Sequence, residues 1–369
     1  MKTQEKKNAR LMSLDALRGF DMFFIMGFAG LIVALCNLFP DSVFMSGLGN
    51  QMSHVKWDGL THHDTIFPLF LFIAGISFPF SLEKQRSSGK SEKDIYSKII
   101  KRGLTLVLLG FVYNGIFNLD FENMRYASVL GRIGLAWMFA ALLFVKCNTK
   151  TNVLISFILL VGYWLAMWLI PNSATPFSFD NNLVGVVDRM LLPGHLNEGT
   201  FDPEGILSTI PAIATALLGM FTGQLVKLPN DKCPQKKKVL YMVLAAIAFL
   251  LIGWLWSFVF PINKKLWSSS FVCVLVSYSL FLFALFYYII DVKGHNRYSL
   301  FFRVVGLNSI TIYLGQQIVD FGKITEFFLG GILSHCPEGI GAVITNVGYF
   351  TVCWLFVYFL YKQKIFLKV

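Results

Sequence analysis

Three histidines and an aspartate lie close together in the first part of the chain, as His54, His62, His63 and Asp64. An imidazole with an unperturbed pKa near 6.5 can accept and return a proton at neutral pH, as a general base must, and it can also act as a nucleophile. Histidine and aspartate also bind zinc, but this spacing fits no familiar zinc site. The segment therefore indicates acid/base or nucleophilic chemistry. Metal binding and an interfacial cluster without chemistry are the alternatives.

A second polar cluster lies further along, in a stretch rich in glycine, proline and acidic residues. It contains Asp188, Arg189, His195, Asp202 and Glu204. Asp202 is followed by a proline, and this combination predicts the start of a helix with Asp202 as its N-cap. The other polar side chains are either contacts for a substrate or parts of a solvated loop.

Charged residues also interrupt two of the long apolar runs. A charge at the centre of a membrane helix costs about 2.5–3.5 kcal/mol on insertion scales, so it usually faces a polar path or a partner. Asp15 and Arg18 are three residues apart and can pair on one face of a helix. Arg18 and Arg132 are therefore either held by structural partners or available to an anionic ligand.

The composition shows which elements must position these groups. Hydrophobic residues make up 55% of the 369 residues, and charged residues make up 14%. Soluble domains have roughly 45–50% apolar and about 25% charged residues. The composition therefore excludes a soluble globular protein and predicts an all-α fold, a polytopic transmembrane helix bundle.

Ten apolar runs are long enough to cross a bilayer, so we predict about ten transmembrane helices. A shorter apolar piece at 327–333 predicts a re-entrant or interfacial segment. Little sequence remains for a soluble domain, and we expect 1–369 to form a single integral-membrane domain. The ten runs lie at 13–39, 61–82, 99–118, 126–145, 152–170, 205–226, 239–260, 266–290, 301–321 and 342–360.

The basic residues predict the orientation of the bundle. With the N-terminus in the cytoplasm, 24 of the 32 Lys and Arg residues fall on the inner side and six on the outer side. This is a strong positive-inside bias, and it explains the formal charge of +11 without a nucleic-acid partner. We expect a protein of the cell inner (cytoplasmic) membrane with a retained first helix, cytoplasmic tails at 1–12 and 362–369, and a long outer loop at 171–204.

Several short segments, spread in order over nearly the whole chain, share the pattern of one family. They lie at 13–19, 54–61, 64–68, 132–134, 187–189, 202–205, 263–267, 291–294 and 306–310. These segments resemble the heparan-alpha-glucosaminide N-acetyltransferase family, in particular its bacterial members. The resemblance implies transfer of an acetyl group from cytosolic acetyl-CoA to an amino sugar on the far side of the membrane. One departure is the stretch Gly27-Phe28-Ala29-Gly30, where many relatives carry an Asn.

The resemblance also implies roles for particular residues. His54, in the pattern His-x-x-Trp-x-Gly-Leu-Thr, takes the place of the catalytic histidine, whereas His62 and His63 gain no role from it. Acetyl-CoA is the expected donor substrate, and no metal is expected. The residues that we expect to contact the acceptor are Trp57, Asp64, Asp188, Arg189, His195, Asp202 and Glu204.

Acetyl-CoA needs cations for its phosphates and a polar passage for its pantetheine arm. Arg18 and Arg102 are basic residues of the predicted cytoplasmic face and suit the phosphates. Polar residues at the depth of the spans suit the passage, with structural hydrogen bonds between helices as the alternative. These residues are Asn114, Arg132, Asn308 and Ser309.

The sequence leaves several alternatives open. The acceptor is an amino sugar or another glycan, so the enzyme is an N-acetyltransferase or a glycan O-acetyltransferase. His54 either deprotonates the acceptor or carries the acetyl group itself. A transporter or flippase would use the same polar residues without a covalent step. The lipid bilayer is an expected partner, and a homodimer is one open form of assembly.

Overall fold

The computed structural model describes residues 11–171, 173–295 and 299–367. These residues form helices joined by loops, with one isolated antiparallel bridge between Arg125 and Gly194 and no named strand among them. The prediction of an all-α fold is confirmed. The α-helices are α1 Met12–Phe23, α2 Ala29–Asn37, α3 Val43–Asn50, α4 His62–Ser87, α5 Glu92–Tyr113, α6 Val129–Lys146, α7 Thr149–Leu169, α8 Leu183–Leu191, α9 Thr209–Lys227, α10 Gln235–Ser257, α11 Ser269–Phe286, α12 Ser299–Leu307, α13 Ser309–Ile318, α14 Phe321–Leu333 and α15 Glu338–Lys362.

Eight helical stretches of the described chain are long and apolar enough to cross a membrane, so this is a multi-pass membrane protein. Two of the ten predicted runs do not coincide with any of these eight stretches. One falls on α5, whose first half is rich in charged residues, and the other falls on α12 and α13, which are separated at Asn308. The total of ten spans and the orientation stay predictions. The eight stretches are Met12–Asn37, His62–Ser87, Val129–Lys146, Thr149–Leu169, Thr209–Lys227, Gln235–Ser257, Ser269–Val292 and Glu338–Lys362.

The short apolar piece predicted at 327–333 belongs to α14. This helix has 13 residues, which is fewer than the roughly 20 that a helix needs to cross the hydrocarbon core. Its length agrees with the prediction that this piece does not span the membrane on its own.

The helices group into two compact units. One unit is Gly30–Phe281, and the other combines the described residues up to Ala29 with Leu282–Leu367. The first unit contains both polar clusters found in the sequence. The predicted single domain stays a prediction, and residues 1–10 and 368–369 of the predicted tails lie outside the described residues.

Within Gly30–Phe281, α4 and α9 pack backbone to backbone. A Cβ added to Gly219 would lie 2.3 Å from the Phe72 carbonyl oxygen, and one added to Gly223 would lie 2.4 Å from the Ile76 carbonyl oxygen. Small residues allow this close approach of helices in membranes. Residue numbers rise together along both helices, so α4 and α9 run in the same direction. Their N-terminal ends, and the loops that precede them, therefore lie at the same end of the unit.

In the other unit, the first span is broken at Gly27. This residue has φ of 114°, a backbone conformation that favours glycine, and it lies in a π-helical segment, Phe24–Phe28. The Gln316 side-chain amide donates to the Ile25 carbonyl at 3.2 Å and to the Tyr349 hydroxyl at 2.9 Å. A side chain of α13 thus stabilises a carbonyl beside the break.

Candidate active site

The loop before α4 places His54 against the first turn of that helix. His54 Nδ1 lies 2.7 Å from Asp64 Oδ1. Asp64 also closes the start of the helix, because its Oδ2 accepts from the Thr61 backbone N–H at 3.2 Å and from the Thr61 hydroxyl at 2.9 Å. This is the reciprocal arrangement of a capping box. The carboxylate that caps α4 therefore also holds the histidine.

The two members of this pair differ in exposure. Asp64 has 2% of its side chain exposed, whereas His54 has 51% exposed. The Val55 backbone N–H donates to Asp64 Oδ2 at 3.3 Å, so each carboxylate oxygen has partners. We assign the proton of the neutral imidazole to Nδ1, because a carboxylate at hydrogen-bond distance requires a donor there. Nε2 then carries the lone pair that is needed for base or nucleophilic chemistry.

Lys264 contacts the same pair from a distant part of the chain. Its Nζ lies 3.6 Å from Asp64 Oδ1 and 3.2 Å from His54 Nδ1. Because Nδ1 carries a proton in our assignment, the contact with the ring is electrostatic and is not a hydrogen bond. Burial lowers the pKa of Lys264, and the charges of Glu204 and Asp64 oppose this effect.

The segment that carries Lys264 is bonded directly to the loop that carries His54. The Gly59 backbone N–H donates to the Ile262 carbonyl at 2.8 Å, and the Asn263 side-chain amide donates to Asp58 Oδ1 at 3.2 Å. Asn263 Oδ1 in turn accepts from the Leu266 backbone N–H at 2.9 Å. These bonds keep the lysine at a fixed place beside the histidine and aspartate.

His62 and His63 flank the pair without replacing His54 in it. The centroid of the His63 ring lies 4.6 Å from that of His54, and the His62 ring is edge-on to Tyr278 at 6.2 Å. The backbone N–H groups of both histidines donate to Gln51. The structure thus brings His54, His63 and Asp64 together.

Trp57 lines a cavity on the same loop as His54. Its indole N–H donates to the Phe177 carbonyl at 3.1 Å, and its ring packs edge-on against Phe179 and Phe201. The cavity beside it has a volume of about 520 Å³, and its lining combines aromatic residues with Asp58 and with Thr175 and Ser178. It is lined by Trp57, Asp58, Trp168 and the run from Ala174 to Phe179.

The second cluster is an ion-pair network around Asp202, whose side chain is fully buried. Arg125 donates to it through two parallel bonds, Nε to Oδ2 at 2.7 Å and Nη2 to Oδ1 at 2.6 Å, and also contacts Glu204. Burial would raise the pKa of Asp202, but the Arg125 guanidinium outweighs it and holds this pKa below its usual value. Burial would likewise lower the pKa of Arg125, but the bonds to Asp202 and the charge of Glu204 raise it above its ordinary value.

Asp188 fixes the turn that follows Asp202. Its Oδ2 accepts from the Asp202 backbone N–H and its Oδ1 from the Ile206 backbone N–H, both at 3.1 Å. Burial raises the pKa of Asp188 to about 6, although these two hydrogen bonds oppose the rise. The Asp188 carboxylate therefore holds the backbone of this turn in place. The sequence predicts a substrate contact for this residue, whereas its observed hydrogen bonds are structural.

The prediction that Asp202 is a helix N-cap is wrong. Helix α9 begins at Thr209, and Ser208 is the residue before it. Asp202 instead starts a turn in which the Gly205 backbone N–H donates to the Asp202 carbonyl at 2.9 Å. Asp202 Oδ1 does accept from the Glu204 backbone N–H at 2.9 Å, as an N-cap would. The physical reason that no helix follows is that the Ile206 backbone N–H, which would make the first helical bond to the Asp202 carbonyl, donates to Asp188 Oδ1 instead.

Arg132 is a buried cation in α6, with 2% of the residue exposed. Its Nη2 donates to the Gly205 carbonyl at 3.3 Å and to the Ser208 hydroxyl, and its guanidinium lies 4.9 Å from the centre of the Trp267 ring. Its Nε and Nη1 have no hydrogen-bond partner among the residues that the structure describes. Buried donors are nearly always paired, so these two groups fit a ligand acceptor.

Two other predicted acceptor contacts lie at the surface of the loop. Arg189 is exposed, and its Nη1 donates to the Thr200 carbonyl at 2.7 Å. His195 is also exposed, and its backbone N–H donates to the Met124 carbonyl at 3.1 Å. Their roles in binding a substrate stay predictions.

The predicted acetyl-CoA contacts fall into both units. Within Gly30–Phe281, the Arg102 guanidinium lies 4.3 Å from the centre of the Trp137 ring. The Asn114 amide donates to the Arg125 and Ala127 carbonyls at 2.7 and 2.8 Å. Asn114 therefore holds the start of the next segment, which is the structural alternative for this residue.

The other unit contains the remaining three predicted acetyl-CoA contacts. Arg18 Nη1 lies 3.7 Å from Asp15 Oδ1, which confirms the pairing expected from their spacing. Asn308 is 1% exposed, and neither its amide nitrogen nor its oxygen has a hydrogen-bond partner in the described ranges. Ser309, at 8% exposed, is the next residue and the first of α13. Their contact with acetyl-CoA stays a prediction.

The sequence reasoning missed Lys264 and Arg125 as site residues. Both are among the six basic residues on the side that the positive-inside rule predicts to be outer. Basic residues are scarce on that side, and each of these two turns out to pair with a buried carboxylate. Their unexpected location was one available signal, and Lys264 also lies in the segment 263–267, which shares the family pattern. Within the described ranges, no group of three or more His, Cys, Asp or Glu side chains could hold a metal ion.

The fold and the site define a class of protein. It is a multi-pass membrane protein in which a half-exposed histidine and a lysine from two loops meet a buried aspartate in the first turn of α4. The family model described as "Heparan-alpha-glucosaminide N-acetyltransferase, catalytic" matches residues 10–253. The chain belongs to this acyltransferase family, which confirms the resemblance seen in the sequence.

Two similar proteins are named heparan-alpha-glucosaminide N-acetyltransferase. The one from Mus musculus is 27% identical and the one from Homo sapiens is 26% identical. Each comparison covers 98% of this chain, but 61% of the mouse protein and 60% of the human protein. The chain thus spans about three fifths of the length of the relatives it matches. Lys264 lies beyond the residues matched by the family model.

Proposed function

We propose that this protein is a transmembrane acetyltransferase that moves an acetyl group from cytosolic acetyl-CoA to an amino sugar, or a glycan that carries one, on the extracytoplasmic side of the inner membrane. The observation that carries the proposal is the His54–Asp64 pair in a member of this family. An exposed imidazole whose orientation is fixed by a buried carboxylate is suited to general-base catalysis.

In direct transfer, the acceptor amine attacks the carbonyl carbon of the thioester while His54 Nε2 removes a proton from the amine. The carbon–sulfur bond then breaks, the acetyl group stays on the nitrogen, and the proton passes to the sulfur of CoA. Asp64 keeps the Nδ1 proton in place and stabilises the imidazolium that forms.

In the two-step route, Nε2 itself attacks the thioester carbonyl, the carbon–sulfur bond breaks, and CoA leaves as a thiolate before the acceptor arrives. The acceptor amine then attacks the acetyl-imidazole, the bond between the acetyl carbon and Nε2 breaks, and His54 is regenerated. The proton that the amine loses balances the one that the CoA thiolate takes up. Both routes need Nε2 free and the Nδ1 proton directed at Asp64, so the geometry of the pair supports either. The two differ in whether label stays on the protein in the absence of an acceptor.

The donor and the acceptor need different surroundings. We infer that Arg102 binds a phosphate of CoA and that Arg132 donates to a polar group of the bound donor. Arg132 has buried N–H groups without a partner in the part of the chain that the structure describes. The roles of Arg18 and Asn308, which lie in the other unit, stay predictions. The cavity beside Trp57 suits an amino sugar, because aromatic faces pack against the apolar side of a sugar ring while the Asp58 carboxylate accepts hydrogen bonds.

The test is transfer of labelled acetyl from acetyl-CoA to glucosamine in proteoliposomes, with donor and acceptor on opposite sides of the membrane. We expect wild-type protein to acetylate the sugar and His54→Ala to be inactive, while His335→Ala, a change at an exposed histidine of another loop, keeps full activity. Wild-type protein that consumes no thioester with any amino sugar or glycan, yet moves one across the membrane, would identify a transporter instead.

Mild alkali then distinguishes the two acetyltransferase products. An amide survives this treatment, whereas an ester is lost. We expect the labelled product to survive, since the proposed acceptor is an amine. Complete loss of label under alkali would assign the protein as a glycan O-acetyltransferase.

A further inference from the structure

We propose that Lys264 is a positioning residue for the reaction: its ammonium group balances the charge of Asp64, so that His54 stays neutral and able to accept a proton. This inference rests on the proposed role of His54 as the base. Lys264 would not touch the substrate, and it would act through the carboxylate and the imidazole.

The argument starts from the Asp64 carboxylate. A buried negative charge 2.7 Å from an imidazole favours the imidazolium form, because the two opposite charges attract strongly where water is excluded. A histidine that is already protonated cannot remove a proton from the acceptor. A bare aspartate–histidine pair therefore risks holding the base in its inactive form at neutral pH.

Lys264 provides the opposing charge at the right place. Its Nζ contacts the same oxygen, Asp64 Oδ1, that accepts from His54. It also lies close to the protonated ring nitrogen, so an imidazolium at His54 would face a cation at 3.2 Å. The side chain is only 14% exposed, which limits screening of this charge by water. The lysine thus stabilises the aspartate anion and opposes the imidazolium.

Other charged groups surround the lysine but do not replace it. Glu204 and Asp64 act on it as anions, and Arg132 acts as a cation. Glu204 is itself paired with Arg125, so its charge is already shared. His63 lies beside His54, and the positive charge of Lys264 acts on the His63 ring as well. The ammonium of Lys264 is therefore the cation that directly contacts both Asp64 and His54.

The experiment is the pH profile of kcat/KM for acetyl transfer to glucosamine, between about pH 5.5 and 9. We expect Lys264→Met to move the acid limb to higher pH by about one unit, a loss of about tenfold near pH 6 and a much smaller loss near pH 8.5. Lys264→Arg retains the charge and should keep the wild-type limb. Lys265→Met is the matched control, because Lys265 is the adjacent lysine and pairs with Glu198 at 2.8 Å.

A merely structural lysine predicts a different result. In that case Lys264→Met lowers kcat/KM by the same factor at every pH, and the limb does not move. This uniform loss would overturn the proposal, as would an unchanged profile. If Lys264→Met does not fold in detergent, Lys264→Gln removes the same charge with a polar side chain and is measured in its place.

A second readout does not depend on acetyl transfer. Diethyl pyrocarbonate acylates neutral imidazole, and peptide mapping by mass spectrometry follows the reaction at His54 separately from His62 and His63. We expect Lys264→Met, but not Lys265→Met, to slow modification of His54 about tenfold near pH 6. If wild-type protein transfers no acetyl group but modification of His54 is slowed in Lys264→Met, the proposed function fails, while the effect of Lys264 on the charge of His54 stands. If transfer occurs and neither readout shifts, the proposed function stands and the role of Lys264 fails.

Discussion

The unit Gly30–Phe281 has three buried aspartates among its described residues, and two of them, Asp64 and Asp202, each face a basic side chain. Asp202 meets a guanidinium that bonds both of its oxygens, and two backbone N–H groups complete its surroundings. Asp64 meets an imidazole that is half exposed and that has a second ring nitrogen pointing away from the carboxylate. In the first arrangement the guanidinium and the carboxylate bond each other directly. In the second, Nε2 of His54 stays available for reaction.

The type of basic partner distinguishes a structural aspartate from one that serves the reaction more clearly than burial does. Both carboxylates are almost fully buried, and both accept several hydrogen bonds. Arginine stays protonated at all physiological pH values, so its pair with Asp202 cannot exchange a proton. Histidine changes its charge near neutral pH, so its pair with Asp64 can. We therefore expect changes at Asp64 to alter catalysis and changes around Asp202 to alter folding.

The largest expected effect is that of Asp64→Asn on activity. An amide can still hydrogen-bond to His54, but it does not hold the proton on Nδ1 or stabilise the imidazolium. Acetyl transfer should fall by about 10²-fold or more, the range usual for loss of general-base assistance. The measurement is kcat/KM with acetyl-CoA and glucosamine, and Asp231→Asn, at an exposed loop aspartate, is the control. Activity of Asp64→Asn within about threefold of wild type would contradict the role of the pair.

The next effect is on stability, at Arg125. Arg125→Met leaves Asp202 as an unpaired buried carboxylate, and breaking a buried ion pair in this way typically costs about 3–5 kcal/mol. The free energy of unfolding in detergent, measured by chemical denaturation, should fall accordingly. The double variant Arg125→Met with Asp202→Asn should recover part of the loss, since the uncompensated charge is then gone. A double variant less stable than either single variant would show that the network is more than an ion pair.

Sequence reasoning found the parts of the molecule that depend on local pattern. Eight of the ten apolar runs correspond to helical stretches long and apolar enough to cross a bilayer, because length and hydropathy decide whether a segment can do so. The pairing of Asp15 with Arg18 follows from helical spacing. The role of His54 rests on the motif that carries the resemblance, and it stays a prediction. Asp64 lies in the same short stretch, so its proximity to His54 is also local.

The rest depends on contacts between distant parts of the chain. Lys264 is 210 residues from His54, and Arg125 is 77 residues from Asp202. No periodicity relates such residues, and the packing of several helices decides whether they meet. Local reasoning about Asp202 failed for the same reason, because the Asp188 carboxylate accepts the Ile206 backbone N–H that would have made the first bond of a helix. The break between α12 and α13 at Asn308 likewise lies within one apolar run.

The smallest expected effect is the pH dependence of stability. Asp188 and Asp202, which lie in the same cluster, influence it in opposite directions. The pKa of Asp188 is raised by burial to about 6, so its protonated form is favoured in the folded protein. Its contribution to stability is present below the ordinary value near 3.9 and is lost as the pH rises through about 6. The pKa of Asp202 is lowered, so its contribution is present above that ordinary value and is lost as the pH falls below it.

Unfolding midpoints in detergent at a series of pH values distinguish the two. Asp188→Asn keeps one oxygen that can accept a backbone N–H, and it cannot ionise, so it should remove the decline in stability between about pH 4 and 6. Asp202→Asn should leave that decline in place and weaken the loss at lower pH, at the expense of overall stability. If Asp188→Asn instead retains the wild-type decline, another group causes it. Asp188 would then resemble Asp202, a carboxylate that stays charged because its hydrogen bonds outweigh its burial.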